Sequence, residues 1–292
     1  MNSVILVGAT SMLGLEVARQ LLSEGTEVIG AGRQIDSNIR VNLGSDQEPV
    51  FQKPYKADVV IHCASAFGVD SPEGLRENLR VNVGGCFQVL EIAREAEAKK
   101  IVYAGTGFSD PSFNLDPMGV YGFSKAEAER ILDWGITRAG GTFCSLRLPQ
   151  LWDTDGMCCV HQPWFGRIVA YASRGLSLKM PTSNGVRNFM HVSDAVRLLI
   201  LASQTDLTGV HTVAHPIDVD LVELARSAYQ VFGKGGSVVI DQNKAPFRKV
   251  AFPKEDGVYA RLGFEPALTT LQGLERIREA GTSDRFGPMD VQ

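Results

Sequence analysis

At 292 residues, with 44% hydrophobic and 21% charged side chains, the chain has the apolar content for a large core: one elaborate α/β domain, or a main domain with a smaller appendage. A formal net charge of −4 gives no basic footprint for nucleic acid, and no apolar run reaches the ~18 residues of a membrane span. The first residues lack a basic n-region or a small-residue cleavage site, so a cytoplasmic location is expected. Five cysteines (Cys63, Cys86, Cys144, Cys158 and Cys159) at irregular spacing, without C-x-x-C, favour neither a disulfide framework nor a metal site. The adjacent Cys158 and Cys159 read as reduced thiols in a loop.

Short β-branched runs alternate with amphipathic stretches through the first half: SVILVG, a helix near Leu13 to Ser23, EVIGAG, DVVIHCA, a helix near Leu75 to Ala98, and KIVYAG. Alternation of this kind predicts βαβ units and a parallel sheet. A helix near Tyr121 to Arg138 then leads into TFCSLRLPQL, which extends the same sheet. After about Leu151 the sequence turns loop-rich (WDTDGMCCVHQPW) and continues through FGRIVAYASRG, HVSDAVRLLILASQ, GVHTVA and LVELARSAYQVFG. The fold class expected is α/β, a Rossmann-type doubly wound parallel sheet in residues 1–150, completed by segments near 186–215. Residues 151–280 form mainly a cap, and 281–292, poor in apolar residues, a mobile tail.

Gly8 closes the first strand and Gly14 lies at the next helix start. That is the setting of a phosphate-binding turn: the first glycine permits the tight turn, the last permits close packing, and the helix N-terminus offers free N–H groups. Ser11 stands where such a turn usually has its middle glycine, so Thr10, Ser11, Met12 and Leu13 are read with the loop. Its hydroxyl must turn away from a diphosphate or donate to it. The second strand ends in Gly32 and Arg33, where a dinucleotide fold often places an acid about 20 residues beyond the loop. A glycine followed by a guanidinium leaves room for a 2′-phosphate and a partner for it, which favours NADP(H) over NAD(H).

Tyr121 and Lys125, in YGFSK, are four apart at a helix start and share a face. An ammonium beside a phenol draws its pKa down from about 10 and makes it a usable proton carrier. His191, at the head of an apolar stretch that Ser193 and Asp194 could cap, reads as structural.

Gly8-x-x-x-x-x-Gly14, DVVIHCAS (58–65), NVGG (82–85), VYAGT (102–106), YGFSK (121–125) and RNFMHVSD (187–194) stand in the order found in the extended short-chain dehydrogenase/reductases. The chain resembles the NAD(P)-dependent epimerase/dehydratase branch of that family, of nucleotide-sugar type, from residue 1 to about Ala280. The resemblance implies Thr106 as the group that hydrogen-bonds the substrate oxygen, Tyr121 as acid/base, and Lys125 as the residue that holds the nicotinamide ribose and tunes the tyrosine. It places Asn42 and Leu43 beside the adenine, with an amide where the family has Asp, and Ala64 and Ser65 along the cofactor. Leu148 to Gln150 would cover the nicotinamide and the first substrate groups. Arg187 matches the arginine that grips a substrate diphosphate, and Arg248 is a looser candidate for a second contact. A homodimer is implied by the same analogy.

Departures from the family narrow the reaction. The 4,6-dehydratases follow their Thr with Asp-Glu, but Gly107 and Phe108 follow Thr106. The 3,5-epimerase/4-reductases keep a cysteine where Phe108 stands. What remains is ketone–alcohol interconversion, first read as NADPH-dependent reduction of a nucleotide-linked keto-sugar. The alternatives are a C4 epimerase with tightly held NAD(P), and a non-catalytic NAD(P)-sensing protein, against which the retained Thr106, Tyr121 and Lys125 stand.

Overall fold

A computed structural model describes residues 1–113, 118–182, 185–248 and 250–291. The chain forms two compact units. One comprises Met1–Leu148, Val196–Val213 and Glu255–Phe264; the other comprises Pro149–Ala195, Ala214–Lys254 and Glu265–Gln292. The first unit thus ends its opening run at Leu148, and of the later segments expected to complete its sheet only those from Val196 onward belong to it. The run TFCSLRLPQL, read as one strand, breaks at Pro149, which has no N–H to give a ladder.

In the first unit, β1 (Ser3–Val7), β2 (Glu27–Gly32), β3 (Ile39–Arg40), β4 (Val50–Phe51), β5 (Val59–His62), β6 (Lys100–Thr106) and β7 (Thr142–Leu148) join the strand Gly209–Thr212 in one eight-stranded sheet. The spatial order is Gly209–Thr212, β7, β6, β5, β1, β2, β3, β4. Every neighbouring pair is parallel except β3 with β4. β5 and β6 are buried along their whole length, as strands covered on both faces must be. β1 lies between β2 and β5, so the strand order reverses there. The crevice of such a sheet opens at the carboxyl ends of those strands.

Helices α1 (Met12–Ser23), α2 (Pro72–Asn78), α3 (Gly85–Glu95) and α4 (Val120–Arg138) belong to this unit. The stretch near 75–98, expected as one helix, is α2, a wide π-helical turn over Leu79–Gly84, and α3. The turn carries the buried Asn82, whose Oδ1 accepts from Ala66 N–H (2.7 Å) and whose Nδ2 donates to Ala66 O, Asn78 Oδ1 and Ser124 Oγ. It thereby ties the loop after β5 to α4. Turns of this kind concentrate at functional sites.

In the second unit, Gln150–Trp152 pairs in parallel with Phe189–His191. Trp152 is fully buried against Phe165 and His191. The Asp153 carboxylate accepts from the N–H groups of Asp155, Met157 and Cys158 and so fixes the turn that holds the free thiols Cys158 and Cys159. His191 is a buried part of this core, with Nδ1 2.6 Å from Ser193 Oγ. Asp194, read as a possible helix cap, lies in the first turn of the helix Val192–Gln204 and accepts from Ala267 and Leu268 N–H. The tail also departs from expectation. Phe286 is buried near Phe165, Arg285 pairs with Asp155, Arg167 grips Asp290 through two 2.6 Å bonds, and Tyr171 exchanges hydrogen bonds with Val291. These partners are over a hundred residues away in sequence, beyond the reach of local composition. No helix among the described residues is long and apolar enough to cross a membrane.

Candidate active site

A cleft of about 420 Å³ opens where β1, β2 and β5 end. Gly8, Thr10 and Ser11 line it from the first turn, and Gly32 and Arg33 from the end of β2. Asn42 and Leu43 enter from the loop after β3, Ala64 and Ser65 from the loop after β5. Gly8 has φ +88°, and a Cβ there would stand 2.7 Å from Ala64 N; one on Gly14 would stand 2.1 Å from Gly8 O. Both positions therefore require glycine, and the turn can lie flat under a ligand. Ser11 replaces the middle glycine by becoming the N-cap of α1: its Oγ donates to Gly8 O (2.9 Å) and accepts from Gly14 N–H (3.0 Å). Its hydroxyl is committed to the loop, and it takes up one helix N–H. Leu15 N–H bonds Ser11 O, which leaves the N–H groups of Met12 and Leu13 free at the helix start. Met12 and Leu13 are not among the cleft's described lining residues, and the side chain of Leu13 is buried in the core.

Gln88 on α3 fixes the Asn42–Leu43 loop, accepting from Gly44 N–H and donating to the carbonyls of Asn42, Ser45 and Gln47. Nothing in the local pattern marked it, since these bonds span more than forty residues. Arg33 is exposed on the cleft wall, and Arg80 and Glu77 also line the cleft. Glu77 is the sole carboxylate among the described lining residues.

The catalytic candidates Thr106, Tyr121 and Lys125 are not among the cleft's described lining residues; Lys125 reaches its wall through Ser65. Thr106, the last residue of β6, is buried in register with Leu148 of β7, and its Oγ1 caps the short turn Gly107–Ser109 by accepting from Phe108 N–H. Ser109 Oγ donates to Gly122 O, and Asp70 accepts from Val120 N–H, which sets the first turn of α4. Tyr121 stacks on Phe67, with centroids 4.7 Å apart and planes 24° apart. Lys125, only 1% exposed, donates to Ser65 Oγ (2.9 Å) and to Ala104 O (2.7 Å), with Nζ 3.9 Å from the centre of the Tyr103 ring. Ser65 thus belongs both to the cleft wall and to the catalytic cluster.

Burial sets the electrostatics here. It pushes the Lys125 ammonium down to about 7, with Glu129, Cys63 and Cys86 pulling the other way. Burial likewise raises the Tyr121 phenol above its ordinary value, opposed by a hydrogen bond with Ser65. The expected downward pull of Lys125 is not among the causes that act on the phenol, where burial dominates. His62, buried under the site with Nδ1 unpartnered, is pushed down to about 3, first by burial and then by Lys125. An unfolded chain takes up a proton on this histidine near pH 6.5, whereas the folded chain resists until about 3. Stability present above about pH 6.5 is therefore lost as pH falls toward 3. Urea midpoints at pH 7.5 and pH 5 are expected to differ less in His62→Leu than in the wild type; equal differences would remove His62 from that role.

In the second unit, Gln150 donates through Nε2 to Gln162 Oε1 (2.7 Å), and its own Oε1 is buried without a partner. Arg187 is half-buried and makes no ion pair among the described residues. Burial lowers its pKa, Asp220 opposes this, and its guanidinium lies 6.0 Å from the centre of the Phe247 ring. Phe247 also packs edge-on against Trp164, while the adjacent Arg248 is exposed.

The profile of the NAD dependent epimerase/dehydratase family matches residues 4–214. The chain belongs to this family. It is an enzyme of that NAD-dependent epimerase/dehydratase kind, on a Rossmann fold. A UDP-glucose 4-epimerase of Lacticaseibacillus casei is 26% identical over 241 residues, covering 68% of this chain and 71% of the relative. A human dTDP-D-glucose 4,6-dehydratase is 23% identical over 258 residues, covering 77% and 68%. Among solved structures, a UDP-N-acetylglucosamine 4-epimerase from Bacillus cereus superposes with a TM-score of 0.79 at 20% identity, covering 96% of this chain and 99% of that one. A Thermus thermophilus UDP-glucose 4-epimerase in complex with NAD gives 0.70 at 21%, covering 95% and 99%. Within this epimerase/dehydratase chain, Asn82, Gln88, Asp70 and Phe67 complete the site by position. Of these, only Asn82 stood in a motif that the sequence singled out.

Proposed function

We propose that this enzyme reduces a nucleotide-linked keto-sugar with NADP(H), Tyr121 delivering the proton and Thr106 holding the substrate oxygen. The observation that supports this reading is that Lys125, one helical turn from Tyr121, bonds both Ser65 of the cleft wall and the Ala104 carbonyl of the strand that ends in Thr106, and that Gly107 and Phe108 after Thr106 offer no second acid or base. The glycine cradle, the free N–H groups of Met12 and Leu13 and the cleft volume fit a dinucleotide. Bound there, a nicotinamide dinucleotide supplies or takes up a hydride. Lys125 has one N–H beyond its bonds to Ser65 and Ala104, which suits a ribose hydroxyl.

The choice of NADP(H) is supported at Gly32. A Cβ there would meet Ser37 Oγ at 3.6 Å, an ordinary contact, so the fold does not demand glycine; the space it leaves adjoins Arg33 on the cleft wall. Arg33→Asp is expected to reverse the preference toward NAD(H), because a carboxylate repels a 2′-phosphate and accepts from ribose hydroxyls. Isothermal titration with both cofactors checks this, and unchanged NADPH affinity would sink the assignment.

A nucleotide-diphosphate sugar as substrate is supported by the activities named for the relatives and by the guanidinium of Arg187, which donates to Val186 O and makes no ion pair among the described residues. Arg248 is the looser candidate, and the buried Gln150 Oε1 awaits a donor. The second reading, a C4 epimerase, is favoured by the 4-epimerases among those relatives. Incubation with a panel of 4-keto and 4-hydroxy nucleotide sugars separates them: net NADPH loss marks a reductase, interconversion without loss an epimerase, and neither refutes both. A homodimer is supported by Phe87 on α3 and Trp134 on α4, both more than 60% exposed on helices that pack together.

A further inference from the structure

Arg147, next to the end of β7, reaches two carboxylates that belong to different parts of the framework around Thr106, Tyr121 and Lys125. The first is Glu129, one helical turn beyond Lys125 on α4 and only 3% exposed. Arg147 grips it as a fork through Nε and Nη2, with Nη2 2.7 Å from Oε2. Ser145, two residues earlier on the same face of β7, donates to Glu129 Oε1 at 2.8 Å. The second is Asp110, whose Oδ2 lies 3.9 Å from Arg147 Nη1. Asp110 closes the turn that follows Thr106: its N–H bonds Gly107 O, and its carboxylate accepts from Ser112 N–H, Ser112 Oγ and Thr212 Oγ1. The strand between these groups leaves room for them. Gly105 stands in register with Arg147, between Thr106 and the Ala104 that accepts from Lys125. A Cβ there would lie 2.8 Å from Glu129 Oε1 and 2.6 Å from Ser145 Oγ. Glycine at 105 thus lets the carboxylate rest against the backbone of β6, one residue from Thr106.

We propose that Arg147 is a positioning residue of the active site: it sets α4, which carries Tyr121 and Lys125, against the turn behind Thr106 by holding Glu129 with two of its guanidinium nitrogens and Asp110 with the third. A guanidinium suits this task because its N–H groups are fixed in one plane, so the two carboxylates cannot shift independently of each other. Burial sharpens the constraint. Neither carboxylate is more than 13% exposed, so water does not replace a lost bond at little cost. A lysine at this place would keep the charge but not the fork. Arg147 is not among the described residues that line the cleft, and it bears on the reaction only through the groups it holds.

The catalytic part of this inference rests on the proposed reading of Thr106, Tyr121 and Lys125, so the test has one arm that needs no substrate. In the full-length protein, urea midpoints are compared for Glu129→Gln, Asp110→Asn and the two together. If Arg147 joins them, the double variant loses more than the sum of the single losses, because only then is the guanidinium left without a carboxylate. Losses that simply add overturn the link. The second arm measures steady-state kinetics on whichever nucleotide sugar is turned over, for Arg147→Met, for Arg147→Met combined with Glu129→Gln, and for Arg147→Lys. Arg147→Met alone strands a buried carboxylate, and the combined variant removes that charge, so it is expected to regain most of the lost urea midpoint. Its kcat is expected to stay roughly 10- to 100-fold below the wild type, with KM and cofactor affinity within a few-fold, the pattern of groups misplaced rather than missing. Recovery of kcat together with stability overturns the positioning role and makes the pair a structural one. Should the methionine variants fail to fold, Arg147→Lys carries the test: kcat about 5-fold or more below the wild type at little changed KM is expected, and an equal kcat overturns the proposal. Midpoints that depart from additivity in a protein that turns over no nucleotide sugar uphold the link and overturn the substrate reading instead.

Discussion

Tyr121→Phe is expected to lower kcat by roughly 10²- to 10⁴-fold while cofactor affinity stays nearly unchanged. The substitution removes one oxygen and nothing that holds the site together. The ring keeps its stack on Phe67, Lys125 keeps its bonds to Ser65 and Ala104, and the first turn of α4 keeps its ties through Asp70 and Ser109. No cleft-lining residue is altered. What disappears is the group proposed to give its proton to the substrate oxygen, and an effect confined to kcat marks an interaction made in the transition state rather than in binding. Steady-state rates on whichever nucleotide sugar is turned over, together with isothermal titration of the cofactor, check both halves. Turnover within a few-fold of the wild type would remove Tyr121 from its role; a matching loss of cofactor affinity would make its role one of binding.

The order of strands and helices in the first half was legible because each element carries its own period: β1, β5 and β6 are short apolar runs, and α1 and α4 show one buried face. What could not be read were features set by distant partners. The π turn over Leu79–Gly84 exists to deliver Asn82 to Ala66, sixteen residues away, and the docking of the tail depends on Arg167 and Tyr171, more than a hundred residues before it. The same limit applies to the site. Tyr121 and Lys125 share a helix face and so were visible as a pair, but the Ser65 hydroxyl that accepts from Lys125 comes from a loop sixty residues earlier. The sign of the phenol's shift was misread for a related reason: spacing along a helix shows which charges are close, whereas burial, the larger influence here, is a property of the whole fold.

Gly14→Ala is expected to weaken cofactor binding roughly 100-fold, a change of about 2.7 kcal/mol, and to destabilise the fold by about 1–3 kcal/mol. The added Cβ would stand 2.1 Å from Gly8 O, 2.9 Å from Gly8 C and 3.0 Å from Ala9 Cα, all of them backbone atoms that no side-chain rotation can clear. Relief must come from moving the turn, and the turn is closed on itself: Ser11 Oγ ties Gly8 O to Gly14 N–H, so displacing one end displaces the cradle and the helix start together. The free N–H groups of Met12 and Leu13 move with it, which is why affinity falls by more than stability alone would imply. Ser11→Gly separates the two causes. It removes the cap, at a few tenths of a kcal/mol, but adds no atom to the turn, so its affinity for the dinucleotide is expected to stay within a few-fold of the wild type. Titration of NADPH and NADH into both variants, with urea midpoints alongside, reads the difference. If Gly14→Ala binds either cofactor as the wild type does, the turn after β1 is not where the pyrophosphate rests, and the cleft between β1, β2 and β5 must hold its ligand by other groups.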